Sequence, residues 1–288
     1  MDLAAIVLIQ VLYAIAGLVI VSAGLAVIFG MMRVINLAHG EFLMLGGYTT
    51  IVAVKAGVDV WLAMLMLSPL VVGVVGVLVE RVVIRPLHGR MIDTMLATWG
   101  LSLLLIGLVT TVFGNITAGI SAPLGSFRIG NYSVSHYTLV LILAAALILC
   151  GLWWVLRRTR WGLVARGTMQ NAAMADALGV NPGRVHAVTF AAGAALTGLA
   201  GGLLAPLSGV VPTMGAAYVA KAFITVIGGG ASMLAGTLGA SALFGTINQA
   251  ATFLTTPVFG EVALLLAAIV LLRLLPQGIT GRFFRGSL

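Results

Sequence analysis

Three polar side chains lie close together in the stretch VINLAHGEFLMLGGY, residues 34–48. Asn36, His39 and Glu41 stand here between two long apolar runs. In hydrocarbon a charged side chain costs on the order of 3 kcal/mol, so these groups need protein, water or the membrane interface around them. Two interpretations stay open. The residues line or brace a polar path, or the stretch is an interfacial loop in which Glu41 favours a helix N-terminus.

A second stretch of the same character lies late in the chain, KAFITVIGGGASMLAGTLGAS, residues 221–241. Both stretches are apolar, are interrupted by glycine and carry an ionisable residue at one end, here Lys221. Such pairs are typical of broken helices from two halves of a transporter that meet around the solute path. A simpler interpretation of Lys221 is that its side chain extends to the lipid headgroups. The predicted translocation path consists of Asn36, His39, Glu41, Gly46, Gly47, Lys221, Thr225, Gly228 and Gly229.

The elements that must position these residues are apolar helices. The 288 residues are 61% hydrophobic and 8% charged, whereas a soluble domain has about 25% charged residues. About 20 apolar residues span a bilayer as a helix, so the chain is predicted to be an all-α polytopic membrane protein. We expect one transmembrane domain over residues 1–288 with eight or nine transmembrane helices and glycine-broken segments. The apolar segments lie at about 3–30, 41–55, 60–84, 94–114, 137–156, 185–206, 218–235, 236–254 and 259–275.

The net charge of +8 is carried by clusters of arginine between apolar runs. The clusters lie at residues 81–90, at residues 157–184 and, with Arg282 and Arg285, in the C-terminal tail. Because positive loops stay on the cytoplasmic side, nine crossings would place the N-terminus outside and the C-terminus in the cytoplasm. Topology and contact with lipid explain this charge, so we expect no nucleic-acid partner.

Several kinds of chemistry are missing from the sequence. Cys150 is the only cysteine, the histidines have no spacing suited to a shared metal, and no phosphate-binding Gly-Lys pair occurs. We therefore predict no metal, no cofactor and no ATP site of that type. No nucleophile–base motif is present, so the chain is not expected to be an enzyme. Seven acidic residues are few for an ion-driven carrier.

The longest polar connection is residues 157–184, and it contains a short helical pattern. Residues 171–179, NAAMADALG, favour a helix that stops at Gly179, before the turn signal Asn-Pro-Gly at residues 181–183. This helix is too polar to span a membrane. It is either a connector or a docking element for a soluble partner on the cytoplasmic face.

Together these stretches resemble the membrane subunits of ABC importers for branched-chain amino acids and of the related urea and short-chain amide importers. The resemblance covers nearly the whole chain, in order. The matching stretches are INLAHGEFLMLGGY (35–48), ERVVIRPL (80–87), residues 166–203, KAFITVIGGGASMLAGTLGA (221–240) and LLPQGITGR (274–282).

The resemblance implies a single permease domain in the bacterial inner membrane that works with several partners. These are cytoplasmic ATPase subunits, in which ATP hydrolysis resides, an extracytoplasmic solute-binding protein, and a second homologous permease. The permease pair is expected to be a heterodimer, with a homodimer as the alternative.

The resemblance also implies that the short polar helix fits a cleft on the ATPase. The family's coupling loop has the general form E-A-A-x-x-x-G, but Ala173 stands here where the glutamate is expected. No role for a charge is therefore carried over to that position. The expected ATPase-coupling residues are Arg166, Gln170, Asn171, Ala173, Ala175, Asp176, Gly179 and Arg184.

The substrate is less clearly indicated by the same comparison. Residues 88–103 and 169–175 look like the urea-type members, whereas GAAYVAKAF at 215–223 looks like the amino-acid type. We expect urea or a short-chain amide, with a branched-chain, hydrophobic amino acid as the alternative. From another class, a passive small-solute channel would carry flux without ATPases, and a secondary transporter would depend on an ion gradient.

Overall fold

The structure is a computed structural model of the chain, and it describes residues 2–130, 132–230 and 232–281. The long apolar segments fold as helices because a helix satisfies all of its backbone hydrogen bonds within one segment. The first helices are α1 Asp2–Met32, α2 His39–Lys55, α3 Val60–Leu87 and α4 Met91–Phe113. They are followed by β1 Ser126–Ile129, β2 Tyr132–Ser135, α5 His136–Arg158, α6 Arg160–Gln170 and α7 Ala172–Ala177. The last helices are α8 Pro182–Ser208, α9 Gly215–Gly229, α10 Met233–Leu254, α11 Pro257–Leu274 and α12 Gly278–Gly281.

Eight of the nine apolar segments fall on single helices, and the segment 218–235 covers most of α9 and the start of α10. The all-α polytopic class is confirmed. In the described residues six helical stretches are long and apolar enough to cross a membrane: α1, α3, α4, α5, α8 and α11 with α12. The pair α9–α10 is bent by 116° at its break and makes a seventh stretch if it is one broken span. The expected eight or nine crossings and the orientation of the two ends stay predictions, and Arg282 and Arg285 lie outside the described residues.

The contacts within the chain define two compact units, and each is described by itself. Unit A contains the described residues of Met1–Ser22, Ala122–Cys150 and Lys221–Leu288. Unit B consists of Ala23–Ser121 and Gly151–Ala220. The expectation of one permease domain stays a prediction beside this division.

Helix α8 forms the centre of unit B, where it packs against α2 and α3. Its buried face is made of small residues, which let helix backbones approach closely in a membrane protein. A Cβ at Gly46 of α2 would collide with the backbone of Gly198 of α8, and a Cβ at Gly201 would collide with the carbonyl of Leu43. Beside this crossing the Ser68 hydroxyl of α3 lies 3.0 Å from the Gly46 carbonyl oxygen.

The apolar core of unit B lies beside this crossing. Phe42 and Phe190 meet edge-to-face, with their ring centroids 6.1 Å apart. Both rings are fully buried with aliphatic neighbours from α1 and α3, among them Ile28 and Val72. The break between α1 and α2 is therefore anchored on one side by close packing.

Unit A contains a core formed by the first part of α1, α10 and α11. Leu18, Phe244, Leu264 and Ala268 are buried together there. The unit also contains the hairpin β1–β2, which is antiparallel with Ser126 opposite Ser135. From the sequence, residues 115–136 are predicted to be an external loop rich in Gly, Ser and Asn, with no strands indicated. Strands of four residues are at the lower end of the usual range and leave little pattern to detect.

Candidate functional site

The first candidate site is the break between α1 and α2, residues 33–38. Asn36, His39 and Glu41 are all buried, at 0%, 0% and 2% exposure. Protein surrounds these side chains, as a bracing role requires, and their lining of a path stays a prediction. Arg33 opens the break with a φ of 52°, an uncommon conformation for a residue other than glycine.

Two side chains hold the backbone of this break. The Asn36 Oδ1 accepts a hydrogen bond from the Ala38 amide at 3.1 Å. The Thr98 hydroxyl of α4 accepts one from the Leu37 amide, also at 3.1 Å. These two bonds satisfy backbone donors that the missing helical turn leaves without partners. The Asn36 Nδ2 has no hydrogen-bond partner among the described residues.

His39 joins the start of α2 to α8. Its Nδ1 lies 3.3 Å from the Thr197 hydroxyl, which donates its own hydrogen to the Gly193 carbonyl at 2.9 Å. A hydroxyl has a single hydrogen, so Thr197 accepts from the imidazole whenever it donates to Gly193. This contact ties the first turn of α2 to α8.

Glu41 lies in the first turn of α2, where the helix dipole favours a negative charge. The Ser102 side chain of α4 forms a hydrogen bond with this carboxyl group. A Cβ at Gly215 would lie 2.6 Å from the Glu41 Oε1, so the first residue of α9 must be small. The Oε2 has no hydrogen-bond partner in the part of the chain that the structure describes. This oxygen keeps its capacity to accept a hydrogen bond, although the protein buries it.

Gly46 and Gly47 are placed differently from the polar residues of their stretch. Gly46 faces the α8 backbone, and a Cβ at Gly47 would lie 2.6 Å from the Val210 side chain. Their observed role is close packing, and lining of the path stays a prediction for both.

The predicted path residues of the second stretch belong to unit A. Lys221 forms an ion pair with Glu261 of α11 at 2.6 Å, with 27% and 57% of the two side chains exposed. Thr225 is buried and donates its hydroxyl to the Lys221 carbonyl at 2.8 Å. Gly228 faces the ring of Phe244. Lys221 thus forms a partly exposed ion pair, and both its place on the path and its extension to the headgroups stay predictions.

The break between α9 and α10 is closed by backbone contact. A Cβ at Gly229 would meet the backbone of Gly236, and a Cβ at Gly278 would meet the backbone of Gly230. Gly230 and Gly278 have φ values of 82° and 73°, which only glycine adopts readily. The Thr280 hydroxyl donates to the Gly229 carbonyl at 2.6 Å and accepts from the Ser232 amide at 2.9 Å.

Each unit thus contains one group of predicted path residues. Asn36, His39 and Glu41 meet in unit B, and Lys221 and Thr225 lie in unit A. Sequence reasoning missed the hydroxyl groups that bond these two stretches. They are Ser102 at Glu41, Thr197 at His39, Thr98 at the Leu37 amide and Thr280 at the Gly229 carbonyl. A single Ser or Thr inside an apolar run is the signal that could have indicated them.

The polar connection of unit B forms the second candidate site. The structure has the expected short helix as α7, capped by Asn171, whose Oδ1 accepts from the Met174 amide at 2.9 Å. The connection also contains α6, a helix that the sequence did not indicate. Gly179 follows α7 with a φ of 83°, and Asn181 then caps α8 by accepting from the Arg184 amide at 3.1 Å.

The expected coupling residues divide into structural and exposed ones. Asn171 and Gly179 begin and end the short helix, Ala175 is its buried residue, and Arg166 donates back to the Gly162 carbonyl at 3.2 Å. Gln170 is the last residue of α6. Met174 and Leu178 add apolar surface at 59% and 77% exposure. The remaining expected residues, Ala173, Asp176 and Arg184, are exposed.

Arg85 fastens this surface to the end of α3. Its Nη2 donates to the Gly183 carbonyl at 3.0 Å, and its Nε lies 3.4 Å from the Oε1 of the buried Glu80. The junction of α7 and α8 is thereby tied to a membrane helix. The described part of the chain contains no group of three or more His, Cys, Asp or Glu side chains that could hold a metal ion.

Residues 7–275 match the family described as the branched-chain amino acid transport system permease component. The chain is 28% identical to the high-affinity branched-chain amino acid transport system permease protein LivH of Escherichia coli (strain K12), over 91% of each chain. It is 29% identical to the corresponding protein BraD of Pseudomonas aeruginosa, also over 91% of each. It is 26% identical to a probable LivH of Methanocaldococcus jannaschii, over 92% of this chain and 88% of that protein.

One solved structure, PsaBC from Streptococcus pneumoniae in complex with Fab, resembles the chain with a TM-score of 0.49 at 14% identity. The superposition covers 96% of this chain and 93% of that chain. The match over residues 7–275 places the protein in a class, the membrane-spanning permeases of ABC importers. The chain belongs to the family of branched-chain amino acid transport system permease components, and it is a multi-pass inner membrane protein.

Proposed function

We propose that this chain is the permease subunit of an ATP-driven importer for a branched-chain, hydrophobic amino acid. The observation that carries the proposal is the match along residues 7–275, together with relatives named for branched-chain amino acid transport over nine-tenths of the chain. The expectation of urea or a short-chain amide rested on two short stretches and finds no support in these comparisons. A branched-chain, hydrophobic amino acid, which the sequence left open as the alternative, is the substrate that the comparisons support better.

ATP binding and hydrolysis belong, in this proposal, to separate cytoplasmic subunits. The exposed α7, with Leu178 directly after it, offers Met174 and Leu178 as an apolar contact and Asp176 as a polar one. Arg85 of α3 donates a hydrogen bond to the carbonyl of Gly183, which lies in the first turn of α8. A displacement of α7 by the ATPase therefore moves α3 and α8 with it. Those helices pack on α2 and carry the polar break with them.

The solute path is proposed to pass the first break. Glu41 accepts hydrogen bonds there, and its Oε2 is available to a polar solute in the state that admits it. Alternation between outward and inward states requires only that the partners bind one state better than the other. A solute-binding protein outside the membrane delivers the substrate, and a second permease, homologous or identical, completes the path.

The uptake of labelled leucine and labelled urea tests the substrate and the energy source together. Cells with and without this gene are compared at low micromolar solute, before and after ATP depletion. We expect the deletion to lose energy-dependent leucine uptake and to keep urea uptake. Loss of urea uptake alone would restore the urea assignment. Gene-dependent flux that survives ATP depletion would mean a passive channel.

The coupling role of α7 is tested at Gly179. Proline there cannot adopt a φ of 83° and removes the amide that donates to the Asp176 carbonyl at 2.9 Å. We expect Gly179→Pro to insert into the membrane normally and to lose both ATPase co-purification and solute-stimulated ATP hydrolysis. Gly179→Asn is the matched control, because asparagine tolerates left-handed backbone. Intact co-purification of the proline variant would refute the coupling role.

A further inference from the structure

An apolar groove of about 1000 Å³ runs along unit B between α3 and α8. Its volume is at the upper end of the range for ligand pockets, about 300–1,000 Å³. The floor is made where Gly73 of α3 approaches Ala191 and Ala195 of α8. The walls are large aliphatic side chains that remain exposed, among them Leu70 at 64% and Val74 at 55%. Such a surface is suited to hydrocarbon chains.

One end of the groove is strongly basic. Arg81, Arg85 and Arg184 all line it, and Trp161 lies at the same end with 67% of its surface exposed. Arg85 is already engaged by Glu80 and by the Gly183 carbonyl. Arg81 and Arg184 form no ion pair with any acidic side chain among residues 2–130, 132–230 and 232–281. Two positive charges thus face the groove without a counter-charge.

We propose that this groove binds one anionic phospholipid, with the phosphate at Arg81 and Arg184 and an acyl chain along α3 and α8. Arginine binds phosphate through paired, charge-assisted hydrogen bonds. A tryptophan beside the headgroup level is typical of membrane interfaces. The bias of arginine toward the cytoplasmic side puts the basic end in the leaflet that carries anionic lipid.

The charge at the basic end favours a lipid over a transmembrane helix of a second permease. A helix seated in the groove would have to bring carboxylates of its own to Arg81 and Arg184 to neutralise them. A phospholipid supplies the phosphate and the hydrocarbon in one molecule. We therefore take a phospholipid as the occupant, and a cross-linking experiment tests whether a second permease occupies the groove instead.

Native mass spectrometry of the purified full-length chain tests the site. Delipidated protein is titrated with phosphatidylglycerol and, separately, with phosphatidylcholine. We expect saturable binding of one phosphatidylglycerol molecule and weaker binding of phosphatidylcholine. The variant Arg81→Gln/Arg184→Gln should bind phosphatidylglycerol on the order of tenfold more weakly, because each arginine near the phosphate contributes electrostatic attraction to the binding of an anionic lipid. The control Arg157→Gln/Arg158→Gln removes the same charge outside the groove and should bind as the unmodified protein does.

A second variant addresses the hydrocarbon part and does not depend on charge. Val74→Trp fills the groove and should lower phosphatidylglycerol binding, whereas Val112→Trp, at an exposed position of α4 away from the groove, should not. Equal binding of the two lipids, or unchanged binding by both groove variants, would overturn the proposal. Disulfide cross-linking between two copies through Leu70→Cys, in a chain that also carries Cys150→Ala, would assign the groove to a permease pair instead.

Discussion

The two helix breaks of this protein are held by different means. The break at residues 33–38 in unit B is braced by buried polar side chains, with Asn36 inside the break and His39 directly after it. The break at residues 230–232 in unit A is closed by glycine backbones, where Gly230 meets Gly278. A threonine bonds an amide of each break: Thr98 in the first and Thr280 in the second.

This difference supports different proposed roles for the two breaks. A polar solute needs hydrogen-bonding groups where the helix is interrupted, and Glu41 supplies one in the first break. In the second break the nearby ionisable residue, Lys221, is partly exposed and already paired with Glu261. We infer that the first break serves the solute and that the second gives α9 and α10 their shape.

The largest effect is expected at the glycine contact of the second break. Gly278→Ala forces a side chain into left-handed backbone at φ 73° and against the backbone of Gly230. We expect a loss of roughly 2–5 kcal/mol in the free energy of unfolding, from strain and overpacking together. Thermal melting and the yield of monodisperse protein in detergent measure it. Gly239→Ala is the control, since a Cβ there would meet only the Ile279 side chain at 4.0 Å. Equal stability of the two variants would refute the backbone-contact account.

The next effect concerns transport, and it contrasts Glu41 with Lys221. Glu41→Ala removes the acceptor of the first break and should lower the initial rate of leucine uptake to about a tenth, because Ser102 and the start of α2 lose their partner. Lys221→Ala removes a partly exposed ion pair of small energetic value and should leave more than about half of the rate. Rates are compared at equal amounts of protein in the membrane. The reverse ranking would assign the solute path to the second break.

The helices and the polar stretch at residues 34–48 could be predicted from the sequence because both depend on local composition. Runs of apolar residues of sufficient length must become helices in a membrane, and a buried Asn, His and Glu stand out against them. The short helix α7 was indicated by the turn signal at residues 181–183. Nothing in these signals requires knowledge of the rest of the chain.

The partners of the polar residues could not be predicted, because they come from distant parts of the chain. Thr197 is 158 residues from His39, and Thr98 is 61 residues from Leu37. Hydrophobic patterning shows that a residue is buried but not which side chain it contacts. The hairpin was missed because strands of four residues leave little pattern to detect. Helix α6 was missed because its residues belong to a polar connection, although its apolar and polar side chains separate onto two faces.

A smaller effect is expected from the two threonines. Thr98→Val leaves the Leu37 amide without its acceptor, and Thr280→Val does the same to the Ser232 amide. Each change should cost about 1–3 kcal/mol in the free energy of unfolding, the usual cost of an unsatisfied buried donor. Thermal melting of both variants measures this cost. Thr111→Val is the control, because the Thr111 hydroxyl is exposed and donates only to the Gly107 carbonyl of the same helix, α4. A cost at one break alone would contradict the view that both breaks depend on a threonine.

The smallest effect is expected at the ion pair of Lys221 and Glu261. Both side chains are partly exposed, so their attraction is screened, and we expect Lys221→Met and Glu261→Gln each to change the free energy of unfolding by less than about 1 kcal/mol. A double-mutant cycle on thermal stability isolates the coupling between the two side chains. A coupling well above that value would mean that the pair, and not the glycine contact alone, holds α9 against α11. The second break would then depend on a charged side chain as the first does, and the division of roles between the two breaks would fail.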